Sequence, residues 1–402
     1  MWSSELTRRG ILRVGTSLLN LIIGPAGAWR ALGFQGLCVY AAIHTLSKTG
    51  SAEASARSRA NAMVGYRTSP AMLFIGGALP FLGLDWWAPV ILVPFFLGSF
   101  EGAFWTTFHE IRSARVAGEG AAERGKGAEG SEDEDSLEWF QKVEIVATII
   151  AALLVFWLES EGVTHYASIL GSSMAIAAFA MPMNESAKTV KLGLSVSDLR
   201  LERAVAGGVA TGSFGVIQLV TPWAMRLFCL EEGGISLLAQ FVALATLIGF
   251  LVSHYIKKTE ESKEAALRKN WRIGYFLCSL GFLLMSTGVV MEDLSAFTAG
   301  YLVCVAGMSG ILRPLEIKIA GDLFKGEGGS IGLRERVKFR TQTKFLLGYS
   351  LLVMALFSFG IDVFSDLSII LIPGLAFCIG LCALELRIFN VLDSLRRARP
   401  RD

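Results

Sequence analysis

The chain has 402 residues, of which 53% are hydrophobic and 18% are charged, with 37 Lys and Arg against 35 Asp and Glu. Soluble domains carry roughly 25% charged residues, so this composition excludes an ordinary soluble domain. The basic residues are spread over many short segments and form no concentrated patch. We therefore expect no nucleic-acid partner, because nucleic-acid binding needs basic residues gathered on one face.

Twelve apolar segments follow one another along the chain, and crossing a bilayer as a helix takes about 20 residues. In chain order, the segments comprise residues 10–26, 30–47, 68–84, 87–109, 143–159, 163–183, 204–228, 233–256, 272–291, 294–315, 343–361 and 367–386. No gap between them is long enough for a soluble domain. The sequence predicts an all-α polytopic membrane protein with twelve transmembrane helices, embedded in the lipid bilayer.

Basic and acidic residues lie in alternate gaps between the apolar segments. All 37 Lys and Arg except Arg30, Arg226 and Arg313 lie at the N-terminal end, in every second gap or in the C-terminal tail. The opposite gaps are short and acidic; they carry Asp85, Glu159, Glu161, Glu231, Glu232, Glu292, Asp293, Asp362 and Asp366. Cytoplasmic loops hold the excess of Lys and Arg. We therefore predict an integral protein of the cytoplasmic membrane with both termini in the cytoplasm.

Two longer cytoplasmic gaps divide the chain. Residues 116–138 are rich in Gly, Ala and Glu, a composition that buries little apolar surface, so we predict a disordered acidic loop there. Residues 184–203 follow the sixth span and form the predicted central linker. This places an N-terminal six-helix bundle in residues 1–183 and a C-terminal six-helix bundle with a basic tail in residues 204–402.

The two halves share a short pattern at their fourth helices. The fourth span ends His109-Glu-Ile-Arg112, the tenth ends Leu315-Glu-Ile-Lys318, and both lead into a cytoplasmic gap. With two six-helix halves, both ends inside and a longer central loop, the whole chain resembles the major facilitator superfamily. The gap after the second span is basic, as in that family, but lacks its Asp-Arg-x-Gly pattern. The resemblance implies two pseudo-symmetric six-helix bundles and transport by alternating access.

Glu101 lies near the middle of the fourth span. A charge at that depth costs at least about 2.5–3.5 kcal/mol on insertion scales, and such residues usually mark a functional site. Trp105 and His109 follow at helical spacing on the same face. The alternative interpretation is a protonated structural Glu that links two helices by hydrogen bonds.

Three polar residues complete the candidate site. The resemblance implies that spans one, four, seven and ten line a central cavity, and Asn20, Glu101, Gln218 and Arg313 fall one on each. Arg313 lies near the cytoplasmic interface, where it either reaches the lipid headgroups or pairs with a solute anion or a carboxylate of the fourth helix. Asn20 and Gln218 serve equally well as interhelical hydrogen-bonding groups.

We interpret the chain as a secondary active transporter of a small solute, and proton coupling through Glu101 is left open. The alternatives are a non-transporting protein of the same fold, such as an assembly factor or receptor, and a lipid-linked saccharide flippase. The sequence has no motif typical of a membrane enzyme, and we expect no enzyme activity, cofactor or metal site. We expect a monomer whose partners are the solute, protons if it is proton-coupled, and the bilayer.

Overall fold

The computed structural model describes residues 2–19, 24–57, 71–75, 78, 88–106, 131–161, 166–180, 229, 234–259, 264–313 and 315, with scattered residues between 336 and 360. All regular structure in these ranges is helical. Five helical stretches of the described part are long and apolar enough to cross a membrane. This confirms the all-helical architecture and gives five candidate membrane spans in the described part; the total of twelve spans remains a prediction.

The described helices are labelled in chain order. They are α1 (Trp2–Thr16), α2 (Gly24–Arg57), α3 (a π-helical start Ala88–Leu92, then α-helix through residue 106), α4 (Ser131–Ser160), α5 (Tyr166–Ala180), α6 (Gly234–Thr259), α7 (Glu264–Val290) and α8 (Leu294–Val305, continuing as a π-helix over Ala306–Leu312). Helices α3 and α8 correspond to the fourth and tenth predicted spans.

The second helix differs from its predicted span in two ways. It continues to Arg57, so the residues from Lys48 onward belong to a helix and not to the loop in which the sequence placed them. It also contains a break at Leu32 and Gly33, where Gly33 has a φ of 57°. Glycine has no Cβ and adopts this left-handed conformation without strain.

The last part of the segment predicted as a disordered loop, residues 131–138, is described as helical. Helix α4 begins at Ser131, so residues 131–138 are helical, whereas residues 116–130 lie outside the described part. The physical reason is the acidic run that starts at Glu132, because negative charge is favourable at the positive end of a helix dipole. The predicted linker, 184–203, also lies outside the described residues.

The described helices group into two compact units. The first contains α1 to α5 and the start of α6 through Ala243. Its core is an apolar cluster in which Leu18 and Ala26 contact α4 and the start of α6. The residues of α4 are Ala147, Ala151, Ala152, Val155 and Leu158, and those of α6 are Ile235 and Ala239. Small and branched side chains allow these helix backbones to approach closely.

Glu159 connects α4 to the start of α6. Its carboxylate accepts hydrogen bonds from the backbone N–H groups of Ile235 and Ser236, and Arg30 acts on it electrostatically. The first N–H groups of a helix have no partner within the helix. Glu159, predicted from the sequence to be an outer-loop charge, therefore also caps α6.

The second unit contains the rest of α6 together with α7 and α8. Helices α7 and α8 are joined by a tight turn, in which the Asp293 carboxylate accepts the backbone N–H groups of Ser295 and Ala296. The two helices pack through glycines: a Cβ added at Gly281 would lie 2.6 Å from the backbone nitrogen of Cys304 and from the carbonyl oxygen of Gly300. Membrane helices that pack this closely typically place small residues at their contact.

Candidate functional site

Glu101 on α3 is buried, with 5% of its surface exposed. Its Oε2 accepts a hydrogen bond from Lys48 Nζ of α2 at 2.6 Å, and His44 Nε2 lies 3.6 Å from the same oxygen. The Lys48 side chain is itself largely buried, with 19% exposed. The two helices thus share a buried ion pair with an imidazole beside it.

Small residues on α3 bring the two helices together at this point. A Cβ added at Gly98 or Gly102 would collide with the backbone carbonyl oxygens of His44 and Lys48, respectively. Ser51 Oγ also donates a hydrogen bond to the Ser99 carbonyl oxygen at 2.9 Å. Close backbone contact, made possible by glycine, holds Lys48 and Glu101 within hydrogen-bonding distance.

Two further groups complete the surroundings of Glu101. The His44 ring stacks on Tyr40, with ring centroids 6.1 Å apart and planes at 8°. Arg13 of α1 acts electrostatically on Glu101. We call the group formed by Arg13, His44, Lys48 and Glu101 the Glu101 cluster; it contains residues from three helices of the first compact unit.

Glu101 and Lys48 compensate each other's charge. A protonated Glu101 loses its charge and therefore its electrostatic attraction to Lys48. The ammonium group would then be buried without its carboxylate, a costly state unless another acceptor replaces it. Loss of the Glu101 charge would therefore leave Lys48 uncompensated between α2 and α3.

The structure describes three of the six predicted site residues, namely Glu101, Trp105 and Arg313. Glu101 and Trp105 are both buried on α3, and the Trp105 ring meets Phe104 edge-on at 4.9 Å. Arg313 is exposed and ends the π-helical part of α8 in the second unit. Asn20, His109 and Gln218 lie outside the described residues, so their placement stays a prediction.

Arg13, His44 and Lys48 are not among the site residues predicted from the sequence. Lys48 was assigned to a cytoplasmic gap because its charge matched the topology pattern, and Arg13 was counted with the basic N-terminus. One signal was available: Tyr40, His44 and Lys48 are spaced four residues apart, which places three polar side chains on one face of the second helix.

Three solved structures share the fold of this chain. A POT family transporter in complex with a thioalcohol-conjugated peptide has a TM-score of 0.68 at 12% identity, and a POT family transporter in complex with 5-aminolevulinic acid has 0.64 at 12%; in both comparisons, 96% of each chain is covered. A structure from a study of substrate recognition in proton-dependent oligopeptide transporters has 0.62 at 13% identity, covering 99% of this chain and 100% of the other. At this identity the likeness establishes the fold.

No protein-family model and no curated protein matches the sequence. The similarity therefore lies in the helical architecture, over nearly the whole chain. These neighbours are transporters, and the architecture they share agrees with the membrane-spanning helices described above.

Proposed function

We propose that this protein is a secondary active transporter that moves a small solute across the cytoplasmic membrane by alternating access, with proton coupling through Glu101. The observation that carries the proposal is the buried Glu101–Lys48 ion pair between α2 and α3. A buried ion pair costs desolvation energy and is weak evidence for stability alone. Its position within a transporter fold favours a role in coupling.

Coupling requires that protonation and conformation depend on each other. In the described arrangement Lys48 donates a hydrogen bond to the Glu101 carboxylate, and His44 lies beside the same oxygen. When the cluster opens and Lys48 separates, the same carboxyl loses this support and binds a proton more readily. One conformation thus favours the charged carboxylate and another favours the protonated form.

Uptake into proteoliposomes tests the function directly. The structural neighbours were solved with a conjugated peptide and with 5-aminolevulinic acid, so a dipeptide and 5-aminolevulinic acid are the first solutes to measure. We expect uptake that exceeds that of empty liposomes and increases with an imposed proton gradient. Absence of gradient-driven uptake of these and a wider panel of solutes would favour the non-transporting alternative.

The Glu101→Gln variant separates transport from coupling. Gln keeps the shape of Glu but has no charge to titrate, so we expect exchange of solute across the membrane to persist while gradient-driven accumulation falls at least about tenfold. Uptake measured between pH 5.5 and 8 checks this. The exposed Glu161 provides a matched control: Glu161→Gln should accumulate solute normally. Normal accumulation by Glu101→Gln would instead show that Glu101 is a structural group.

We also propose the topology predicted from the charges, with twelve spans in two bundles and both termini in the cytoplasm. Single cysteines at the exposed positions Glu161 and Glu292, in a background without the native cysteines, should react with an impermeant maleimide added outside. A cysteine at the exposed Ala54, near the end of α2, should react only after the membrane is permeabilised. Labelling of Ala54→Cys from outside would contradict the orientation.

A further inference from the structure

We propose that the contact between Glu159 of α4 and the first residues of α6, Gly234 to Ser236, holds the outer side closed in the described conformation and breaks when that side opens. We call it the outer contact. The inference rests on the proposed transport function and adds the contact that has to open during transport. It is supported by the position of the carboxylate, by the apolar packing beside it, and by the unequal surroundings of its two oxygens.

One oxygen of Glu159 lies at the N-terminal end of α6. Glu159 Oε1 is 3.7 Å from the position that a Cβ would occupy at Gly234, and the carboxylate accepts the backbone N–H groups of Ile235 and Ser236. Gly234 has a φ of 74°, a conformation that glycine adopts without strain. The N-terminal end of a helix favours negative charge. Glu159 therefore holds the backbone of α6 and needs no particular side chain on that helix.

Apolar side chains pack beside the carboxylate. Val155 and Leu158 of α4 belong to one buried cluster with Ile235 and Ala239 of α6, and both sides of the contact lie in the first compact unit. In the proposed topology, α4 is the fifth span and α6 the eighth, so the contact joins the outer ends of helices from different bundles. Alternating access separates the two bundles on one side of the membrane at a time. The outer contact would have to break in the outward-open state.

The two oxygens of Glu159 differ in their hydrogen bonding. Oε2 is buried and has no hydrogen-bonding partner among the described residues. A capping acceptor stabilises the start of a helix, whereas a buried acceptor without a partner is costly by a comparable amount. Opening would let water reach both the N–H groups of α6 and Oε2, so it removes a gain and a cost together. A contact balanced in this way opens with a small change in free energy, which suits a reversible closure.

Labelling of a buried position at the contact measures how often it opens. Ile235 is 2% exposed, so Ile235→Cys, in a background without the native cysteines, should react slowly with an impermeant maleimide added outside. Adding Glu159→Ala should raise the labelling rate roughly three- to thirtyfold, as expected for the loss of a helix cap. Glu159→Gln retains one acceptor oxygen and should have a smaller effect; it serves if Glu159→Ala fails to fold. Glu161→Ala, at an exposed carboxylate, is the control and should leave the rate unchanged.

A reversible cross-link tests whether the contact has to open for transport. Cysteines at Glu159 and Ser236 would be joined by a short bifunctional methanethiosulfonate, in proteoliposomes. We expect uptake to be lost on cross-linking and to return on reduction, because transport needs both conformations. The control is the pair Met291→Cys/Leu294→Cys, two exposed positions at the turn between α7 and α8. The same reagent there should leave uptake unchanged.

Two results would overturn the outer contact. One is an unchanged labelling rate of Ile235→Cys with both Glu159→Ala and Glu159→Gln, and the other is full uptake by the protein cross-linked between α4 and α6. The labelling measurement needs no flux, so it is independent of the transport assay. Absence of uptake before cross-linking would overturn the proposed function, whereas normal uptake after cross-linking would overturn the outer contact alone.

Discussion

Replacing Lys48 with Met is expected to lower the free energy of unfolding by about 1–3 kcal/mol, because the buried Glu101 carboxylate loses the hydrogen bond that Lys48 Nζ donates at 2.6 Å. Glu101, which is only 5% exposed, would keep its carboxylate buried without Lys48. The methionine side chain matches the length of the lysine stem, so the packing of α2 on α3 is largely retained. The loss is measurable as a fall in melting temperature of the purified protein.

The double variant Lys48→Met/Glu101→Gln provides the control. It removes both charges together, and replacement of a whole buried pair by neutral groups is often close to neutral for stability. We therefore expect the second substitution to recover most of the stability that Lys48→Met loses, although coupled transport stays absent. If Lys48→Met alone melts like the wild type, the pair makes no net contribution and Lys48 is effectively a surface lysine.

The Gly281→Ala substitution is expected to destabilise the second compact unit by about 1–3 kcal/mol, the usual cost of overpacking a close contact. The added Cβ would lie 2.6 Å from the backbone nitrogen of Cys304 and 2.6 Å from the carbonyl oxygen of Gly300. Backbone atoms of α8 cannot rotate away as a flexible side chain can. The helices must move apart, and the packing along α7 and α8 is lost.

Gly50 on α2 makes the matched comparison. It is also helical, but an added Cβ there meets nothing within 4 Å. Gly50→Ala should therefore keep or raise the melting temperature, because alanine is favoured over glycine inside a helix by roughly 0.5–1 kcal/mol. Equal melting behaviour of the two variants would show that the α7–α8 contact is looser than described.

The candidate site was predictable in part from the sequence. Glu101 stood out because a single carboxylate in an apolar segment is costly and therefore informative on its own. Lys48 did not stand out, since it lies at the end of a segment where basic residues mark the cytoplasmic side. A lysine that marks the cytoplasmic side and a lysine that pairs with a buried carboxylate are the same residue type. The sequence pattern alone therefore does not distinguish these two roles.

The sequence by itself determined the all-helical fold class. Apolar segments of this length form helices in a bilayer because a helix satisfies all their backbone hydrogen bonds internally. The sequence also located the deep carboxylate. Only the tertiary structure decided that Glu101 pairs with Lys48, that Glu159 caps α6, and that Gly281 faces Cys304. These partners are tens of residues apart in most cases, and local periodicity contains no information about which helices meet. Which helices meet depends on the size of the side chains at their contact and on how closely the two backbones can approach. Both act only when the helices pack against each other.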